Sequence, residues 1–375
     1  MNRFDRQINL PGFGVASQHK ISQARVLVVG AGGLGCPVVQ YLGAAGVGTI
    51  CIVDGDVVAT SNLNRQTLYG KAHVGMPKVN VIKEWLLTNY DDVEVVCVNE
   101  YLTPLNASLL IPQYDVVLDC TDNYQTRYMI NDACVLLSKP LVLGAIYENE
   151  GQVAVFNVPD EVGICTNYRD LFPMPKADSV IPNCTETGVL GVLPGTIGMF
   201  MATQTIMLIT RYGRILANTL VLYSLLTHRM CEYRIIPNNA ASSHIPKSLD
   251  TFLATDYHQP CSVQIVESCT WDEAIRDIET HLGHTLIVDV RDSDEQPKLD
   301  IVSHLRKSAK SLLADITLLD GYSTVYLFCQ HGRRSVQVAA ACKQQRPDIR
   351  FISINGGIVS FLTDSRKYTH EIKQT

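Results

Sequence analysis

Gly30-Ala31-Gly32-Gly33-Leu34-Gly35 fits G-x-G-x-x-G and directly follows the β-branched run at 25–29. Glycines at this spacing let backbone N–H groups approach a phosphate. The helix expected next adds unpaired N–H groups and the favourable end of its dipole. Asp54 closes the next apolar run, where an acid is expected to take ribose hydroxyls. These residues alone suit an NAD-dependent oxidoreductase as readily as an ATP enzyme. The residues beyond Asp54 separate the two: Asp56, then Asn62 and Arg65, then Lys78, and later Asp122 after the run ending in Asp119. A dehydrogenase does not need basic and amide groups beyond its second strand. An enzyme that splits a triphosphate does, because developing negative charge must be countered. Arg grips phosphate with a planar fork, and Lys acts as a point charge. An acid just past a strand's C-terminal end faces the ligand crevice and suits Mg²⁺.

Two cysteines stand apart from the rest. Cys329-Gln330-His331-Gly332-Arg333-Arg334-Ser335 lies between an apolar strand-like run and a helix. Backbone N–H groups, a helix N-terminus and two arginines should converge on the Cys329 sulfur. They would favour a thiolate and stabilise an anionic persulfide. A Cys-x5-Arg phosphatase loop does not fit, because Arg334 comes one residue too early. Cys184 lies in Asn183-Cys184-Thr185-Glu186-Thr187-Gly188, a Gly-flanked loop that suits an accessible thiol.

Positioning these groups takes a particular architecture. Strand-like and helix-like runs alternate from Arg25 to Gly144, and the apolar runs are nearly continuous. The pattern predicts an α/β fold with a doubly wound, Rossmann-like, mostly parallel sheet. Runs at 152–157 and 219–224 would extend it. After the polar stretch Pro237 to Pro260 the alternation restarts, so a second, smaller α/β domain is expected. The 375 residues suffice for both. The boundaries read as a first domain over 1–245, a linker over 246–264 and a second domain over 265–375.

Composition narrows the function classes. Lys plus Arg is 31 against 37 for Asp plus Glu, giving a net charge of −6. A dedicated nucleic-acid binder would usually be basic. Hydrophobic content of 46% and charged content of 18% describe an ordinary globular chain. The N-terminus has no apolar leader, and twelve cysteines form no Cys-x-x-Cys pair, so a cytoplasmic protein with reduced thiols is expected. The uncharged stretches at 26–53 and 187–210 contain interrupting Gly, Pro or Thr and read as buried core, with no membrane partner.

The ordered set Arg3-x-x-Arg6-Gln7, Gly30-x-Gly32-Gly33-x-Gly35, Asp54-x-Asp56, Ser61-Asn62-Leu63-x-Arg65-Gln66, Gly75-x-Pro77-Lys78-Val79 and Cys120-Thr121-Asp122-Asn123 resembles the ThiF/MoeB/HesA family, relatives of the ubiquitin-activating enzymes, over about residues 1–235. The resemblance implies ATP- and Mg²⁺-dependent adenylation of the C-terminal glycine of a ubiquitin-like sulfur carrier ending in Gly-Gly. It implies that Asp54 binds ribose, that Asn62, Arg65 and Lys78 attend the phosphates, and that Asp122 attends magnesium. It also implies a homodimer in which Arg6 reaches the neighbour's nucleotide. Many members hold a structural zinc on two Cys-x-x-Cys pairs. Here only Cys165 of the first remains and Pro237–His244 has no cysteine, so no structural zinc is expected. The Cys184 segment resembles the family's crossover-loop cysteine. The segment Cys329–Ser335 is similar to a rhodanese loop, and Asp289-Val290-Arg291-Asp292 and Asn355-Gly356-Gly357-Ile358 match two further rhodanese landmarks.

The fused order implies one purpose: acyl-adenylate first, then sulfur from a Cys329 persulfide, ending in a carrier thiocarboxylate for thiamine, molybdopterin or a related sulfur pathway. The implied donor is a persulfide source such as a cysteine desulfurase. Catalytic roles fall to Cys329, Cys184, Asp122 and Arg65. The alternatives are a non-catalytic nucleotide-binding scaffold that presents the rhodanese domain, and the NAD-dependent oxidoreductase.

Overall fold

The computed structural model describes residues 3–174, 188–257, 266–281, 283–299 and 304–368. These fall into two compact units, the first ending at the segment 249–257 and the second beginning with the segment at 266. Cys184 lies outside the described residues.

The first unit is built on an eight-stranded sheet. Its strands are β1 (Arg25–Val29), β2 (Thr49–Val53), β3 (Glu94–Val98), β4 (Val116–Asp119), β5 (Leu141–Tyr147), β6 (Glu150–Phe156), β7 (Thr219–Ser224) and β8 (Met230–Arg234). The order is β3-β2-β1-β4-β5-β6-β7-β8. β3 through β5 pair in parallel, and β6, β7 and β8 are added antiparallel. One core cluster holds Val26, Val28, Ile50 and Ile52, and the other holds Leu27, Val29, Cys51 and Val53. That alternation splits each strand between two buried faces, which is why the runs read as continuously apolar.

Strand register fixes where a ligand can sit. Val29 at the end of β1 pairs with Val53 on one side and with Asp119 on the other. The loops after β1, β2 and β4 therefore leave the sheet side by side. The chain order reverses between β1 and β4, and the crevice at such a switch point is the place for a ligand in an open α/β sheet.

Helix Val192–Thr210 carries most of the uncharged stretch. By length and composition it could cross a membrane. Here Leu193, Ile197, Met201 and Leu208 are buried in the first core. Gly198 allows close packing, since a Cβ there would meet the Leu34 carbonyl oxygen at 2.6 Å and the Pro37 ring at 2.5 Å.

The second unit has a five-stranded, all-parallel sheet. Its strands are β9 (Glu267–Cys269), β10 (Thr285–Asp289), β11 (Leu305–Arg306), β12 (Thr324–Phe328) and β13 (Arg350–Ile354), in the order β11-β10-β12-β13-β9. Apolar clusters around Leu327 and around Phe328 cover its two faces.

The structure departs from the sequence expectation in two places. Strands β8, β9 and β11 have no counterpart in the apolar pattern. All five residues of β8 are exposed, so its apolar alternation never forms, and β11 has only two residues. The first part of the expected linker 246–264 is folded. Ser248 caps helix Leu249–Ala254, Phe252 is 1% exposed, and the buried Tyr257 donates its hydroxyl hydrogen to Asp132 Oδ2 at 2.8 Å. Two aromatic anchors in a polar run are enough to bind it to the first unit.

Candidate functional site

The loops after β1, β2 and β4 enclose a pocket with Lys78, Arg65, Asp122 and Pro194 in its walls. Gly30, Gly32 and Gly33 line it. Gly30 has φ +99°, and a Cβ there would meet the Cys120 carbonyl oxygen at 2.7 Å. This close approach brings the ends of β1 and β4 together. Gly35 does not line the pocket. A Cβ there would drive into the Gly30 carbonyl, so this glycine lets helix Gly35–Ala45 start tight against the strand end. Tyr69 donates to the Ala31 carbonyl at 2.7 Å and fixes the loop from behind.

Asp54 lines the pocket with both carboxylate oxygens engaged. Oδ2 accepts from Ala31 N at 2.7 Å and Oδ1 from Asp56 N at 2.8 Å. Asp56 accepts from Lys78 Nζ at 2.8 Å and from the Tyr101 hydroxyl at 2.6 Å. Burial works against its charge, but the Lys78 ammonium and the Tyr101 hydroxyl outweigh it and hold the Asp56 carboxyl below the usual range. Arg65 donates to the Ser61 carbonyl and to Asn64 Oδ1, each at 2.9 Å. Asp122 is exposed at the pocket edge.

Like Gly35, Asn62 lies outside the pocket lining, and so does Arg6, whose expected place is a neighbour's nucleotide. The Asn62 Oδ1 accepts from Ala59 N at 2.9 Å and closes the 3-10 turn Thr60–Asn62. Arg6 is exposed on helix Asp5–Ile8. The structure also adds residues that the motifs did not single out: Tyr101 after β3, Thr121 and Arg127 around β4, and Glu148 after β5. Gln66 Oε1 is buried in the wall with no hydrogen-bond partner among the described residues. Cys36 and Cys120 lie close to the glycine loop, but burial pushes Cys36 up to about 11 and Cys120 well above the ordinary thiol range. Neither is suited to act as a nucleophile.

The donor set fits a nucleoside triphosphate. Bare glycine backbone, the Lys78 ammonium and the guanidiniums of Arg65 and Arg127 surround a cleft that also holds an orphaned buried amide oxygen. Asp122 supplies one free carboxylate, which with phosphate oxygens suits the way Mg²⁺ is usually held. Among the described residues, no group of three or more His, Cys, Asp or Glu is placed to hold a metal by itself.

In the second unit Cys329 follows β12 and is 3% exposed. Gly332, at φ +85°, turns the chain into helix Arg333–Gln345. Ser335 Oγ stands 3.8 Å from the Cys329 sulfur and 2.8 Å from Ser353 Oγ. Both landmark segments meet this loop. Arg291 forms a fully buried pair with Asp289 and donates to Gln330 Oε1 at 3.0 Å, while Ile358 N donates to the Cys329 carbonyl at 2.9 Å. Of the two arginines expected at the sulfur, Arg334 gives one amino group to Glu295 Oε1 at 2.6 Å. The side chain of Arg333 lies outside the described residues. His331 is exposed.

The ThiF family profile matches residues 4–244. The chain is 38% identical over 370 residues to the probable adenylyltransferase/sulfurtransferase MoeZ of Mycobacterium tuberculosis, covering 96% of this chain and 92% of the relative. It is 47% identical over 229 residues to the sulfur carrier protein adenylyltransferase of Thermus thermophilus, covering 60% of this chain and 84% of that protein. Against adenylyltransferase and sulfurtransferase MOCS3 of Xenopus laevis it is 37% identical over 313 residues, covering 80% of this chain and 67% of that one. Among solved structures, E. coli MccB with ATP has a similar fold, with TM-score 0.54 at 20% identity over 64% of this chain and 73% of that one.

Proposed function

The chain belongs to the ThiF family, and from that premise we propose that it adenylates the C-terminal glycine of a ubiquitin-like sulfur carrier and then thiolates it. The observation that carries this reading is the convergence of Gly30, Gly32, Gly33, Arg65, Lys78 and Asp122 on one pocket. A scaffold would not need the buried Lys78, and a dehydrogenase would not need the cationic wall.

A carboxylate is a poor electrophile until one of its oxygens belongs to a good leaving group. The carrier's glycine carboxylate attacks the α-phosphorus of ATP and pyrophosphate departs, leaving an acyl-adenylate. Backbone N–H groups of the glycine loop and the charges of Lys78 and Arg65 meet the negative charge that spreads over the phosphates. Asp122 would hold Mg²⁺, which when bound supplies further charge neutralisation at the phosphates.

The second unit supplies sulfur. A Cys329 persulfide anion, loaded by a donor such as a cysteine desulfurase, attacks the acyl carbonyl and AMP leaves. The product is an acyl disulfide between carrier and Cys329. A second thiolate then attacks the Cys329 sulfur, forms a disulfide with it and releases the carrier thiocarboxylate. Cys184 is our candidate for that thiolate. The reading also carries a homodimer, with Arg6 serving a neighbour's nucleotide, and a chain without structural zinc.

ATP–pyrophosphate exchange, with and without a Gly-Gly carrier, tests the first half. Carrier-stimulated, Mg-dependent exchange is expected. Absence of exchange in a folded, nucleotide-binding protein would leave only the scaffold, and exchange that ignores the carrier would remove the carrier's glycine as the adenylated group.

A further inference from the structure

The chain end of β4 carries a polar layer beneath the pocket. Thr121 is held from three directions. Its N–H and its hydroxyl both donate to Asp119 Oδ1, at 2.9 and 2.6 Å, and its carbonyl accepts from Arg127 Nη2 at 3.2 Å. Asp119 is fully buried and Arg127 is 7% exposed. Arg127 Nε stands 3.5 Å from Asp119 Oδ2, and neither atom has another hydrogen-bond partner among the described residues. On the far side of Asp122, Asn123 Oδ1 accepts from Thr126 N at 2.8 Å and caps helix Tyr124–Leu136. The backbone is thus pinned on both sides of Asp122, while the Asp122 carboxylate itself is exposed in the pocket.

A buried ion pair with imperfectly satisfied atoms is a poor way to gain stability. Apolar residues of similar volume often do as well or better. Its geometry makes sense as a device for position. Held between Asp119 and Arg127, Thr121 cannot tilt, and the next residue leaves the sheet in one direction. A ligand group set in advance binds with less loss of freedom than one on a loose loop.

We propose that Asp119 and Arg127 are positioning residues that act through Thr121 to aim the Asp122 carboxylate at the metal-bearing phosphates of the nucleotide. This rests on the reading of Asp122 as the magnesium-facing group.

The test compares ATP binding by calorimetry in Mg²⁺ and in excess EDTA on the full chain. The ratio of the two affinities is the readout, and it does not depend on turnover. Wild type should favour the magnesium form, and Asp122→Asn should lose most of that preference. Thr121→Val, which removes the hydroxyl and keeps the shape, should lower the melting temperature as a lost hydrogen bond to a buried carboxylate does, and should cut the preference by about threefold or more beyond any fall in metal-free affinity. Thr121→Ser, which keeps the hydroxyl, should restore it. Should Thr121→Val fold poorly, Arg127→Lys keeps the charge but is too short for the Thr121 carbonyl, and it should show the same loss.

Three results would overturn the inference. A normal ratio in Thr121→Val and Arg127→Lys, with Asp122→Asn impaired, removes the positioning role alone. A parallel fall in metal-free affinity makes the cluster a general support of the pocket. A normal ratio in Asp122→Asn removes the metal reading itself, and the positioning role with it.

Discussion

Lys78 Nζ lies 2.8 Å from Asp56 Oδ2, with the lysine side chain 6% exposed and the aspartate 48% exposed. An ammonium at that depth needs a counter-charge. The same ammonium lines the pocket where triphosphate oxygens would arrive. Asp56 therefore holds Lys78 ready, is itself held by Tyr101, and lines the same pocket.

Lys78→Ala should lower ATP–pyrophosphate exchange by about 10²-fold, the usual scale for one well-placed charge-stabilising donor. The variant also loses the ion pair to Asp56 and a buried side chain, so the melting temperature should fall while the protein stays folded at the assay temperature. Exchange within about threefold of wild type would remove Lys78 from the phosphate site.

Asp56→Asn should lower stability at neutral pH, because it leaves the buried ammonium without its carboxylate. The sign of the shift sets the pH dependence. Burial alone would raise the Asp56 pKa, but Lys78 and Tyr101 hold it below its ordinary value. A depressed folded-state value gives stability that is present above the unfolded value of about 3.9 and is lost as pH falls through the folded one. Thermal melts from pH 7 to 3 should show the gap between wild type and variant closing below about pH 4. No gap at neutral pH would mean the pair contributes nothing, and a gap that stays constant across the range would mean its source is not the Asp56 charge.

Tyr257→Phe should cost about 1.5–3 kcal/mol, the range for a hydrogen bond to a charged group. Its hydroxyl donates to Asp132 Oδ2 at 2.8 Å, and the same carboxylate takes two nitrogens of the buried Arg169, at 2.7 and 2.6 Å. Denaturant unfolding of the full chain measures it. A neutral substitution would return the segment around 249–257 to the status of a linker.

The pocket was legible in the sequence where function depends on local backbone. Gly30, Gly32 and Gly33 sit on one turn, and Asp54 and Asp56 leave the neighbouring strand end, so spacing alone places them. Tyr101 and Glu148 were not legible. They reach the pocket because β3 and β5 lie in register with the central strands, and a tyrosine or glutamate after a strand carries no local signal. Asn62, expected at the phosphates, lies outside the pocket lining, and its side-chain oxygen closes its own turn. The segment 249–257 was misread because Phe252 and Tyr257 are isolated apolar residues in a polar run. What anchors them is Asp132 and a core more than a hundred residues away.

A glycine packed against the Cys329 turn separates the two chemistries. Gly357 has φ +56°, and a Cβ there would press into the Cys329 carbonyl and approach Gly332 N at 2.7 Å. Gly332 is the N-cap of helix Arg333–Gln345, so the strain falls on both ends of the Cys329 turn. The bond from Ile358 N to the Cys329 carbonyl, 2.9 Å long, would be disturbed in the same movement. Cys329→Ala should abolish persulfide formation and thiosulfate:cyanide sulfurtransfer and leave ATP–pyrophosphate exchange near wild type, because adenylation needs no thiol. Gly357→Ala should keep the thiol and still lose sulfurtransfer by about tenfold or more, since small misplacements of reacting atoms are costly. Exchange should again be spared. A reductant cannot rescue Cys329→Ala, because it does not supply the missing sulfur atom. If Cys329→Ala still thiolated the carrier from thiosulfate at the wild-type rate, the second unit would be a docking module. If only Gly357→Ala behaved normally, the turn around Cys329 would tolerate a movement that its packing against Gly332 and Gly357 argues it cannot.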